Sequence, residues 1–469
     1  MDMEKRLLVG FAALTFCAAS FAEAPNSMQV WLKNGEQKVF EISQVDSVTF
    51  GESPQSTYKP LNDWTFPPKY AAPNPLVVTA QEQEYVQATN DFAMKCYAKI
   101  RKMPIGSGSA DPRPLHFFSP ISLNIALGLC ANGASTEGAK EITDALGFQS
   151  SNALSDMNNF FQKVYNSINS NVDSVDIHTA NALWIQEGAA VYDEFLTQAR
   201  QKYYATVRHL NFGSNPQGAL DTINYWAALM TNDRIKSLSI DVIPNTQLVL
   251  NNACYFKAKW KFPFEGLGEN VFSGVQNQSQ RTEFMEIESK YMKCAETNDY
   301  QAVVLDYANG DFDMKDTTQT WAYSMIVILP KEGRTLDEVL PTLQLDSIPF
   351  QKQTCNVIMP KFEMRGNYQL ANVLSELNIT DIFTRYPNAI IDPMESLYVS
   401  QIAQDYFVKV DEEGTEAAVV TSVVADIKMM LPEAKFKMNC NRPFAFVIRE
   451  NTTGLLLFMG EYDDVPGGN

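Results

Sequence analysis

The sequence predicts an α+β fold on three observations. Helical patterns lead the chain, strand patterns dominate its second half, and no period repeats along it. The composition fits a globular protein: of 469 residues, 45% are hydrophobic, 20% charged and 11% aromatic, with 23 Gly and 23 Pro, which sets aside fibrous and disordered classes.

The elements follow in order. Residues 1–22 read as a signal peptide, because Lys5 and Arg6 precede an apolar run from Leu7 to Ala19 and Ser20 and Ala22 are small. That run is shorter than the ~20 apolar residues that span a bilayer, and no later segment reaches that length, so a secreted or extracellular protein without a membrane span is expected. Leu14-Thr-Phe-Cys17 offers an alternative, a lipid attachment site, against which the bulky Phe16 stands. Residues 23–53 read as a small β-hairpin module, since Met28 to Phe50 alternates around Asn34-Gly35; its role is open. Residues 54–83 read as a linker, with six Pro between Gly51 and Pro75.

The main domain is expected over 84–463, with a tail at 464–469. Tyr85 to Arg101, Ile121 to Leu129 and Ser135 to Leu146 read as helices, the last with Ser135 as N-cap and Gly147 as stop. Strands are expected at Thr246 to Phe256, Trp321 to Leu329, Tyr406 to Val410, and at Phe444 to Ile448 and Leu455 to Met459 around a turn at Asn451-Thr-Thr-Gly454.

Charge and residue types exclude several functions. Thirty-seven Lys and Arg against 55 Asp and Glu leave −18, which repels nucleic acid. The three His (His116, His178 and His209) lie in no metal-ligand spacing, and structural roles suit them. No GxSxG elbow, phosphate loop or GxGxxG fingerprint occurs. Cys17, Cys96, Cys130, Cys254, Cys294, Cys355 and Cys440 are too widely spread for CxxC chemistry, and a core this size needs no disulfide staples; they read as buried thiols with no pairs assigned.

The informative segment runs from Glu412 to Met429. Thr415, Ala417, Val419, Thr421, Val423, Ala425 and Ile427 are uncharged and alternate with a face that carries Glu416, Asp426 and Lys428, the pattern of a strand with one buried side. Lys428-Met-Met-Leu-Pro-Glu433 then reads as an exposed loop with a Lys that a protease can take. On periodicity alone an ordinary half-buried edge strand and a turn is the favoured description.

Glu412, Glu413, Gly414, Thr415, Glu416, Ala417 and Ala418 resemble the hinge of the reactive-centre loop of inhibitory serpins. Further blocks are similar in family order: Phe118-Ser-Pro-Ile-Ser122 at the shutter, Thr179 to Ile185, Ile223 to Ile235, Leu248 to Trp260, Met359 to Phe362, Asn441 to Phe444 and Leu456 to Gly460. The resemblance implies a helical N-terminal half, a metastable five-stranded central sheet plus two further sheets, and an exposed loop. Ser119, Pro120, Ser122, Asn252 and Gln404 would form the shutter. Three departures stand out. Gln404 replaces a His common in the family and is expected to hydrogen-bond across the opening strands, Asp233 replaces a usual Gly, and Val419 and Val420 replace an Ala pair ahead of Thr421.

The implied function is irreversible inhibition of serine proteases without any catalytic group, metal or cofactor in the inhibitor. A protease attacks the loop, and the freed segment inserts into the main sheet. The family's usual loop length places the reactive bond at Lys428-Met429, which suits a trypsin-like enzyme. A cut after Met429 or Met430 would suit elastase-, chymotrypsin- or subtilisin-like enzymes. A monomer is expected, and the alternative is a non-inhibitory serpin acting as a carrier, chaperone or binding protein.

Overall fold

The computed structural model describes residues 27–31, 37–41, 64, 75–103, 116–169, 175–238, 240–276, 279–308, 322–389, 398–399, 401–415 and 433–465. The expected signal peptide and the turn at Asn34-Gly35 lie outside them. β1 (Ser27–Trp31) and β2 (Gln37–Glu41) pair antiparallel as a two-stranded sheet of their own, Ser27 opposite Glu41 and Trp31 opposite Gln37. The rest of the chain, 59–469, is a separate compact unit.

In that unit the longer helices come first. α1 (Ala80–Ile100) starts at a capping box, in which Glu82 N–H donates to Thr79 Oγ1 at 3.2 Å and Thr79 N–H to Glu82 Oε2 at 2.7 Å. α2 (Pro120–Ala131) has Ser119 as N-cap and Pro120 in its first turn. Its sequence is apolar on nearly every side, and the helix is accordingly buried almost all round. α3 (Thr136–Ala145) is capped by Ser135, whose Oγ accepts from Gly138 N–H at 3.1 Å. α4 (Ala153–Ile168), α5 (Asp193–Gln201) and α6 (Pro216–Met230) follow, with two short helices later, α7 (Leu336–Val339) and α8 (Ala371–Ser375).

Two sheets carry the strands. The main sheet is built from β4 (Val175–Gln186), β5 (Thr206–Leu210), β6 (Leu248–Lys259), β12 (Phe362–Gln369), β13 (Ala403–Val410) and β14 (Gly414–Thr415), in the order β12-β13-β14-β6-β4-β5. Five of these are full strands; β14 is two residues long. The second sheet takes β3 (Phe117–Phe118), β7 (Glu265–Phe272), β8 (Gln280–Glu296), β9 (Tyr300–Asp306), β10 (Tyr323–Pro330), β11 (Gln351–Pro360), β15 (Phe436–Asn439), β16 (Phe444–Glu450) and β17 (Leu456–Tyr462). Its path is β15-β11-β8-β9-β10-β16-β17-β3, with β7 also on β8. The two further sheets of the expectation are thus continuous here, because the 17-residue β8 serves both and turns at Ser289, whose φ is +48°.

Three readings change. Trp64, inside the stretch read as linker, is buried in a second apolar cluster with Trp184, Trp226 and Phe407, and Arg208 lies 3.7 Å over its ring. Leu76 is buried in the main core, and α1 begins at Ala80 rather than beyond 83. At the other end, Asp464 and Val465 are buried, and Val465 N–H donates to Gln280 Oε1 at 2.9 Å, so the packed region continues past 463. In each case tertiary contact overrides a composition that reads as loop. Cys96, Cys130, Cys254, Cys294, Cys355 and Cys440 are all buried.

Candidate functional site

The hinge enters the main sheet between β13 and β6. Gly414 stands opposite Lys259 and Thr415 opposite Ala258 on β6, while Thr415 also faces Val410 on β13. The hydrogen-bonded path from β13 to β6 runs through these two residues. A glycine is required for this seat, since a Cβ on Gly414 would fall 2.0 Å from the carbonyl oxygen of Ala258.

The residues just before β14 are held equally closely. The carbonyl of Glu413 accepts from Trp260 N–H and that of Glu412 from Phe264 N–H, each at 2.8 Å. Glu412 Oε1 pairs with Lys361 Nζ at 2.7 Å, and this contact raises the Lys361 pKa. Trp260 Nε1 donates to the carbonyl of Asp411 at 2.9 Å.

Thr415 is fully buried, and its Oγ1 lies 2.7 Å from the hydroxyl of Tyr307. Tyr307 in turn stacks on Trp260 at 4.5 Å between ring centres, and burial pushes its phenol pKa upward. The first inward position of the expected inserted strand is therefore already occupied. Glu416, Ala417, Ala418, Val419, Val420, Thr421, Lys428 and Met429 lie outside the described residues.

The shutter gathers below, where α2 meets the sheet. Ser119 Oγ donates to the carbonyl of Leu457 at 2.8 Å and accepts from Ser122 N–H at 3.3 Å. Ser122 Oγ donates to Asn252 Oδ1, and Asn252 Nδ2 reaches Asn181 Oδ1 at 2.8 Å. This chain ties β6 and β4 to the helix. Gln404 on β13 does something different from the expectation. Its Oε1 accepts from Ser119 N–H at 2.9 Å and its Nε2 donates to the Ser119 carbonyl at 3.0 Å. With its acceptor and one donor committed to the N-cap, the amide ties β13 to α2 instead of bridging to β6.

A narrow cavity lined by Ser122, Asn181, Asn252, Gln401 and Gln404 lies between these two anchor points. At this level β13 and β6 each have their own tether to α2, through Gln404 and Asn252 respectively.

Asp233 sits where the backbone asks for glycine. Its φ is +62°, that of Asn232 is +50°, and its N–H donates to the carbonyl of Ala228 at 2.7 Å to close α6. Only short polar side chains besides Gly tolerate this region readily.

Of the residues named from the sequence, Ser119, Ser122, Asn252 and Gln404 are joined by hydrogen bonds at the start of α2, while Gly414 and Thr415 sit apart from them in β14. Lys361 and Leu457 fall within the family blocks Met359 to Phe362 and Leu456 to Gly460 without a role of their own there, and Tyr307 falls in none. Trp260 closes the block that begins at Leu248, but no local signal ties Trp260 and Tyr307 to Thr415, which lies 108 residues from Tyr307.

The comparisons agree with this geometry. The profile of the family described as Serpin (serine protease inhibitor) matches residues 87–465. Serpin B4 of Homo sapiens is 30% identical over 373 residues, covering 74% of this chain and 92% of that protein. The thermophilic serpin tengpin in its native state superposes with a TM-score of 0.69 at 25% identity, over 84% of this chain and 97% of its own. Thyroxine-binding globulin in complex with thyroxine gives a TM-score of 0.68 at 23% identity, over 81% and 99%. With a hinge seated at the head of a sheet that parts above a helix-anchored shutter, and a family match spanning most of its length, the chain belongs to the serpins, a family of non-catalytic serine protease inhibitors.

Proposed function

We propose that this serpin is an exported, irreversible suicide-substrate inhibitor of serine proteases, with a trypsin-like enzyme as target and Lys428-Met429 as the reactive bond. The protease serine attacks the Lys428 carbonyl, forms an ester to it and releases the Met429 amine. The freed upstream segment then inserts between β13 and β6, with the protease still attached.

The observation that carries this reading is the seat of Gly414 and Thr415 between those two strands. It sets the register for the residues that follow: the alternation that turns Thr415 inward brings Ala417, Val419 and Thr421 inward next, all uncharged. Each new ladder bond contributes about 1 kcal/mol net, and the uncharged face adds apolar burial. Val419 and Val420 favour extended backbone.

Incubation with trypsin, chymotrypsin, elastase and subtilisin, followed by denaturing gels and mass spectrometry, tests it. A complex of summed mass with trypsin that survives denaturation, cut after Lys428, is expected. A stable complex with another protease and a cut after Met429 or Met430 keeps the trapping mechanism and changes the target. Nicking by every protease without a complex rejects inhibition in favour of a carrier or binding role.

A further inference from the structure

Cys294 on β8 and Cys355 on β11 are both fully buried, and their sulfur atoms are 2.8 Å apart. Two sulfurs in van der Waals contact sit farther apart than this. The other described thiols have no such neighbour in sulfur: Cys254, for example, contacts the hydroxyls of Thr179 and Ser119.

The ladder places Cys294 opposite Gln351 and Cys355 opposite Lys290, on one face of the strand pair with Met292 and Gln353 between them. A regular ladder would hold residues four steps apart at about 13 Å, whereas these two sulfurs meet at 2.8 Å beside the register shift between Cys355 and Val357. We propose that Cys294 and Cys355 form a disulfide that staples β8 to β11.

The position gives the bond a consequence. β15 is the strand that the chain enters after the segment carrying Lys428 and Met429, and its neighbour in the sheet is β11, with Phe436 opposite Cys355. Lys435 N–H donates to the Thr354 carbonyl at 3.0 Å and Cys440 N–H to the Ile358 carbonyl at 2.8 Å. The staple therefore stiffens β11 at the ladder step where the far stem of the loop docks.

Bond formation is a thiol–disulfide exchange with a small or protein disulfide as oxidant. The Cys294 thiolate attacks one sulfur of that disulfide and releases its partner as a thiol. The Cys355 thiolate then attacks the Cys294 sulfur and releases the second thiol. Two cysteine thiols are oxidised and one external disulfide is reduced. Because both sulfurs are sealed in the folded protein, the exchange belongs to the stage at which β8 and β11 meet.

The bond depends on the export reading only for an oxidising compartment in the cell, and the test separates the two. The full chain is refolded in oxidised and reduced glutathione, unfolded with an alkylating reagent present, and mapped by mass spectrometry without reduction. One linked peptide pair joining Cys294 and Cys355 is expected, with Cys96, Cys130, Cys254 and Cys440 alkylated. Reduction is expected to lower the melting temperature by several degrees and to speed hydrogen exchange at Phe436–Asn439, whereas the Cys294→Ser and Cys355→Ser variants should show no response to reductant. Six alkylated thiols, or a different pairing, would overturn the bond. A bond whose reduction leaves both the melting temperature and the β15 exchange unchanged would overturn the staple. A bond formed in glutathione but absent from protein recovered from its native cells supports the pairing and counts against export.

Discussion

Gln404 pairs its side-chain amide with both main-chain groups of Ser119, accepting from the N–H at 2.9 Å and donating to the carbonyl at 3.0 Å. A strand side chain here acts as a ladder partner for the cap of a buried helix. Gln404→Ala leaves the Ser119 N–H without its acceptor, at about 1–3 kcal/mol, while the Ser119 carbonyl keeps the Leu123 N–H at 3.2 Å. Thermal unfolding of the uncleaved protein should shift down by several degrees. An unchanged midpoint would mean that Ser119 finds other partners at no cost.

Gly414→Ala forces a methyl group toward the Ala258 carbonyl, 2.0 Å from the position its carbon would take. The hinge should leave its seat, seen as faster amide exchange at Thr415 and a raised stoichiometry of inhibition. Retained protection at Thr415 would contradict the close approach.

Thr415→Val loses the bond to Tyr307, about 1 kcal/mol, but keeps a branched side chain in the buried slot, and inhibition should persist. Thr415→Arg places a charge in that slot before any cleavage. Both the melting temperature of the uncleaved form and the efficiency of trapping should therefore fall. A loss of trapping with no loss of stability would show that Thr415 matters only after the cut.

Burial, aided by the Arg101 guanidinium, holds the His116 imidazole down to about 4, from an ordinary value of 6.5. Its folded pKa is depressed, so the unfolded chain takes up the proton first as the pH falls. Stability present above 6.5 is lost toward pH 4 at up to about 1.4 kcal/mol per unit, and the loss levels off below that. Asp463, pushed up to about 8 mainly by burial, acts in the opposite sense, losing stability as the pH rises toward 8. Comparing wild type with His116→Gln cancels the Asp463 effect. Between pH 6.5 and 4.5 the difference in unfolding free energy should move by about 2 kcal/mol in favour of the variant; a constant difference would rule out the buried neutral imidazole.

Asp233→Gly relieves a positive φ on an exposed residue. A gain approaching 1 kcal/mol is expected, read as a higher denaturant midpoint at constant slope. A loss would show that the Asp233 side chain contributes more than its strained backbone costs.

The sequence by itself determined the α+β class, the main helices, the clearest strands and the letters of the hinge, because those features are written within a few neighbouring residues. Ser119-Pro120 caps α2 and Ser135 caps α3 through bonds to main chain three residues on, and alternation along Leu248 to Lys259 is a property of β6 alone. Trp64 escaped notice because proline-rich surroundings read as linker, although its burial against Trp184 and Arg208 needs only the aromatic ring itself. Tertiary structure alone decided that the hinge is already seated at Thr415, that Gln404 serves Ser119 rather than β6, and that Cys294 meets Cys355. These partners lie 61 to 285 residues apart along the chain. Which donor faces which acceptor across such a separation depends on how whole strands and helices pack, and no local pattern carries that information.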